Sequence, residues 1–128
     1  MAIHPEKITW TKEAGEALAQ ARATPADLAV YRADTESGTA QLWRIGGAKV
    51  SYVLTRVEQD QSGARELVIV AGAGQKAAHT IRWFTELAAG AGIETIRAHI
   101  NRPGLQRMFE ASGFKLEEWI MRANTHGR

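Results

Sequence analysis

A mixed α/β fold is predicted by three consecutive stretches of the sequence. Glu66-Leu-Val-Ile-Val-Ala71 is apolar on both faces, as a strand in the middle of a sheet has to be. Gln75 to Ala91 follows at once, with Ala77, Ile81, Phe84, Ala88 and Ala91 spaced alternately four and three apart on one helical face and Leu87 beside it. Thr95 to Ile100 then reads as a second strand, with Ile96, Ala98 and Ile100 on one side. Strand, helix and strand in that order make a right-handed parallel crossover. The 128 residues amount to one domain, and 45% hydrophobic with 23% charged residues suit a packed core rather than a disordered chain.

The remaining elements are placed around that unit. Trp10 to Arg22 has apolar residues at helical spacing. Thr24-Pro25-Ala26-Asp27 starts a second helix, with Thr as cap, Pro in the first turn and an acid to meet the helix dipole; Ser37-Gly38 ends it. Ala40 to Ile45 and Val50 to Glu58 are expected strands joined at Gly46-Gly47, and Gln59 to Ala64 is a polar loop. Past Gly92 and the second crossover strand, Pro103 opens a short helix with Leu105, Met108, Phe109 and Ser112 inward. Gly113-Phe114 closes it and Lys115 to Arg122 forms a last strand. The expected division is a helical segment over 1–38, an α/β core over 39–123 and a tail over 124–128, all in one domain.

Several functions are excluded or disfavoured by composition. The chain has no cysteine, which removes disulfides, thiolate nucleophiles and Cys-based zinc sites. No H-x-x-x-H or H-x-H spacing occurs, so no metal site is expected. The longest apolar or glycine run, Leu67 to Gly74, is far short of the about 20 residues that span a bilayer, and the first residues carry no secretory pattern. A soluble protein of the cytoplasm is therefore expected. The net charge of +2 divides into −1 over residues 1–64 and +3 over 65–128. That imbalance is too mild for a nucleic-acid footprint and suits an anionic small molecule or an acidic protein patch. Ser51, Ser62 and Ser112 lack the G-x-S-x-G elbow of serine hydrolases.

Gly72-Ala73-Gly74-Gln75-Lys76-Ala77 lies between strand and helix and matches G-x-G-x-x-G/A, with Glu94 twenty residues beyond Gly74. Small residues there would let backbone N–H groups at a helix start approach a phosphate. Glu94, however, precedes the next strand instead of closing it. Only 51 residues follow Ala77, too few for a doubly wound nucleotide domain.

The whole order of elements resembles the GNAT superfamily of acetyl-CoA-dependent N-acetyltransferases. Asn101-Arg-Pro-Gly-Leu-Gln-Arg-Met-Phe-Glu-Ala-Ser-Gly-Phe114 carries the strongest local match, and Ala88-Ala-Gly-Ala-Gly-Ile-Glu-Thr-Ile-Arg97 resembles the helix-to-strand passage before it. The likeness covers about residues 39–123. It implies a GNAT-like mixed sheet with N-terminal helices, a central strand–helix–strand crossover and a short C-terminal helix plus strand. It also implies acetyl-CoA as cofactor, contacted by Val68, Val70, Gly72, Gly74, Gln75, Lys76, Ala77 and Asn101. Two positions depart from the family pattern. In the pyrophosphate loop Q/R-x-x-G-x-G/A, Gly72 replaces Gln/Arg and Gln75 replaces the first glycine, and only Ala77 conforms, so acetyl-CoA is expected to bind weakly or not at all, the bulky Gln75 standing where backbone must approach phosphate. The tyrosine that many members use as acid for the departing thiolate is matched by Phe109, which has no proton to give. Gln41-Leu-Trp43, Tyr52-Val-Leu-Thr-Arg56 and Arg102-Pro-Gly104 are similar to small GNAT-like proteins of tailed bacteriophages and prophages. This combination leads to the expectation of a catalytically degenerate, phage-type protein that works through protein partners, such as virion proteins, in the host cytoplasm or the virion. An active N-acetyltransferase is the alternative, and the oligomeric state stays open.

Among single residues, Glu66 opens the central strand where some relatives carry a base working through water; an exposed charge at a strand end is the plainer role. His99 shares a strand face with Thr95 and Arg97 and is a second candidate base. His79 reads as a solvated helix residue. Trp43, on an expected edge strand, and Trp83, at the rim of the long helix, are candidate partner anchors among four tryptophans.

Overall fold

The computed structural model describes residues 3–47, 49–74 and 77–99. The elements are β1 (His4–Ile8), α1 (Lys12–Gln20), α2 (Pro25–Ser37), β2 (Gln41–Gly46), β3 (Ser51–Gln59), β4 (Arg65–Ala73), α3 (Ala77–Gly90) and β5 (Thr95–Ala98). The sheet order is β1-β2-β3-β4-β5; the first three pairings are antiparallel and β4–β5 is parallel. The mixed α/β class and the strand–helix–strand crossover are as the sequence predicts. The expected short helix from Pro103, the strand Lys115 to Arg122, Asn101, Phe109, Gln75 and Lys76 lie outside the described residues.

Local signals set the helix ends. Thr24 Oγ1 accepts from Asp27 N–H at 3.1 Å while Asp27 Oδ2 accepts from Thr24 N–H at 2.9 Å, a reciprocal capping box with Pro25 beside it. Gly38 closes α2 at φ +83°. At the end of α3, Ile93 N–H reaches Ala88 O at 2.9 Å and Gly92 N–H reaches Ala89 O at 3.2 Å, with Gly92 at φ +73°. This Schellman closure returns Ile93 to the core. The same pattern closes α1, where Ala23 N–H bonds Leu18 O at 3.0 Å and Arg22 N–H bonds Ala19 O at 3.2 Å. There the left-handed position is held by Arg22, at φ +78°.

Two apolar clusters sandwich the sheet. On the α3 side Trp43, Ile45, Val53, Leu67 and Ile69 pack with Ile81, Phe84 and Ala88. Trp43, Trp83 and Phe84 meet edge to face at 5.0–5.4 Å between ring centroids, contacts worth about 0.5–1.5 kcal/mol beyond their burial. Trp43 Nε1–H donates to Thr55 Oγ1 at 2.9 Å, so neither polar atom is orphaned in the core. On the α1 side Ala14, Ala40, Leu42 and Leu54 pack with Ile8, Trp10, Tyr31 and Val70.

Three expectations are corrected. Within the segment expected to be helical, residues 4–8 form an edge strand. Five residues containing a proline carry no readable period, and they are extended because β2 has an open edge to pair; Pro5 is tolerated there. That pairing makes β2 an inner strand, so Trp43 is a buried core ring rather than an edge anchor. Ala91 lies beyond the last turn of α3 and is exposed, because the chain has already turned toward Gly92.

Candidate functional site

The carboxyl ends of two parallel strands followed by a helix start form the usual ligand crevice of α/β sheets, since strand ends and helix N–H groups converge there. Here that place is the end of β4, the start of α3 and the residue after β5. Parallel pairing runs from Glu66↔Thr95 to Ile69↔Ala98, and His99 N–H continues it to Ile69 O at 3.1 Å. β4 runs on to Ala73. Against β3, Leu54 pairs with Ala71 and Thr55 with Ile69, which leaves Val70 as an extra residue. A bulge of this kind bends the strand and re-aims its backbone groups.

The two glycines of the turn differ in kind. A Cβ on Gly72 would meet only ordinary contacts, at 3.8 Å or more. Gly74 has φ +128°, and a Cβ there would clash with the Ser51 side chain and lie 2.8 Å from Ser51 Cα. Gly74 is thus required by the crossing of β3 beneath the β4–α3 turn.

The other candidates are spread along β4 and β5. Val68 is fully buried, Val70 is half-buried on the α1 side, Gly72 is exposed, and Ala77 begins α3. Glu66 stands at the opposite end of β4 from Gly72. At about 3.3 Å per residue, some 20 Å separates them along the strand. Its carboxylate is engaged twice: Oε1 lies 3.2 Å from Arg97 Nη1 and Oε2 accepts from Thr95 Oγ1 at 2.9 Å. Arg97 Nη2 also bonds Glu58 Oε1 at 2.9 Å, and Arg56 Nε bonds Glu58 Oε2 at 2.7 Å. The Arg56 hydrogen bond, reinforced by the Arg97 charge, holds the Glu58 carboxyl below the usual carboxylate range. His99 is exposed at the crevice end of β5, and His79 is exposed on α3. The two candidate bases, Glu66 and His99, therefore sit at opposite ends of the strand pair.

Sequence reasoning missed the charged block of Arg56, Glu58 and Arg97. It also missed a row that crosses four strands, Glu6↔Arg44↔Tyr52↔Ala73, and so leads to the end of β4. Neither has a local signature, because each is assembled by cross-strand register. Among the described residues no group of three or more His, Asp or Glu side chains could hold a metal ion, and no helix is long and apolar enough to cross a membrane.

No protein-family model matches the sequence, and no curated protein matches it. Solved structures do match. Glucosamine-6-phosphate N-acetyltransferase from Arabidopsis thaliana superposes with a TM-score of 0.69 at 11% identity, covering 98% of this chain and 99% of that one. The ribosomal-protein-alanine N-acetyltransferase of Brucella melitensis gives 0.67 at 12% identity, over 96% and 98% of the two chains. A predicted acetyltransferase from Clostridium acetobutylicum, crystallised with acetyl-CoA, gives 0.63 at 9% identity over 96% of each. The chain has the fold of the GNAT N-acetyltransferases.

Proposed function

We propose that the chain binds acetyl-CoA at the end of β4 and transfers its acetyl group to an amine. The observation that carries this reading is the bulge at Val70, which interrupts the β4 ladder just before the β4–α3 turn and frees backbone groups of the strand to meet a thioester carbonyl. The N–H groups that open α3 lie beyond it, suited to the cofactor's phosphates. Val68, Val70, Gly72, Gly74, Ala77 and, from sequence, Gln75, Lys76 and Asn101 are the contacts in this reading.

Titration calorimetry with acetyl-CoA tests it. Weak binding is expected with Gln75 in the loop, tightened by Gln75→Gly, which restores the family's glycine; no heat up to millimolar acetyl-CoA for either protein overturns it.

The engagement of both Glu66 oxygens favours a second reading, in which the fold is kept without catalysis and serves protein contacts in a virion or in the host cytoplasm. Phe109, without a transferable proton, points the same way. Acetyl-CoA binding with no acetyl transfer to any amine would select it.

A further inference from the structure

The register of β4 and β5 brings one titratable side chain to the bulge. Parallel pairing advances from Val68↔Arg97 to Ile69↔Ala98, and His99 N–H donates to Ile69 O at 3.1 Å. The next step sets His99 beside Val70, the residue that β3 leaves unpaired. Neighbouring strands lie about 4.8 Å apart, so a group held at Val70 is within reach of the imidazole. Alternation puts Thr95, Arg97 and His99 on one face of β5, the face on which Thr95 and Arg97 meet Glu66. Val70 packs on that same α1 side. His99 is exposed, whereas Glu66 is engaged through both oxygens and lies about 13 Å from Val70 along β4. Among the described residues β4 presents Val68 and Val70 to this face of β5. Arg97, the cation two residues back, is met by Glu58 and Glu66. α3, which carries His79, packs over the opposite face against Ile96 and Ala98.

Resting on the acetyl-transfer reading above, we infer that His99 is the catalytic base of that transfer and acts on the acceptor nitrogen at the Val70 bulge. The imidazole takes a proton from the amine nitrogen as that nitrogen bonds to the acetyl carbon. The carbon–sulfur bond breaks with its electron pair going to sulfur, and the imidazolium returns the proton to the thiolate. An amide and CoA thiol leave, and the imidazole is neutral again. A single group that takes and returns the proton suits a chain whose Phe109 has none to give.

The test follows release of CoA thiol from acetyl-CoA with ethylamine as acceptor. In His99→Gln kcat should fall by about a hundredfold, with the acetyl-CoA Kd and the melting temperature unmoved. The protein's kcat should also decline on the acid side of the imidazole range, and His99→Gln should remove that limb. If the variant melts lower, His99→Ala with free imidazole decides: restored turnover supports the inference, and no restoration overturns it. A fall in kcat of less than about threefold, an acid limb kept in the variant, or loss of acetyl-CoA binding in place of turnover overturns it. Acetyl-CoA binding without transfer to ethylamine overturns it as well and leaves the binding half of the reading standing. Absence of acetyl-CoA binding, in this protein and in Gln75→Gly alike, overturns the reading and the inference together, so calorimetry tells the two failures apart.

Discussion

Arg65 and Glu94 hold one another at the foot of the crossover. Arg65 N–H donates to Glu94 Oε2 at 2.6 Å, and Glu94 N–H donates to Arg65 O at 3.1 Å. The Arg65 guanidinium also caps α3, with Nη2 donating to Ala91 O at 2.6 Å. One residue at the start of β4 thus anchors both the end of α3 and the entry to β5. Because the bonds are exposed, Glu94→Ala should cost only about 0.5–1.5 kcal/mol in urea denaturation. Hydrogen exchange should show the loss concentrated at Ala91 to Ile93.

Gly74 and Gly72 should respond in opposite ways to alanine. Gly74→Ala combines an unfavourable φ with a collision against Ser51 backbone, and about 2–4 kcal/mol of destabilisation is expected. Ser51→Ala should not rescue it, since Ser51 Cα and Cβ are among the colliding atoms. Gly72→Ala should be close to neutral. Thermal denaturation of the three proteins gives the comparison.

Thr55→Val should cost about 1–3 kcal/mol, because the Trp43 indole N–H would stay buried without its acceptor. Tryptophan fluorescence reports the same site.

The acid limb of stability should depend on Glu58. Its carboxyl is held low in the folded protein, first by the Arg56 hydrogen bond and then by the charge of Arg97. The unfolded chain therefore takes up this proton at a higher pH than the folded one. The stabilisation is present above the unfolded value, about 4.3, and is lost as pH falls through the folded value. Glu58→Gln should flatten the fall in melting temperature below about pH 5.

Arg22 occupies a left-handed position that glycine adopts freely. Arg22→Gly is expected to stabilise the protein by about 1 kcal/mol, read as a raised urea midpoint at unchanged slope.

The amino-acid sequence by itself determined the features whose causes lie within a few residues. Thr24, Pro25 and Asp27 start α2, Gly38 and Gly92 end helices because they reach positive φ, and the apolar run 67–71 between Glu66 and Gly72 reads as a strand covered on both faces. The parallel crossover follows from those elements in that order. The tertiary structure alone decided what depends on register and on approach between distant segments. Residues 4–8 are extended because β2 offers an open edge. Val70 becomes a bulge because β3 pairs on either side of it. Gly74 is obligatory because Ser51, 23 residues earlier, passes beneath it. Glu66 is engaged by Arg97 because β4 and β5 align 66 with 95. Capping and periodicity are local and can be read along a chain, whereas a cross-strand partner is chosen by the packing of the whole sheet.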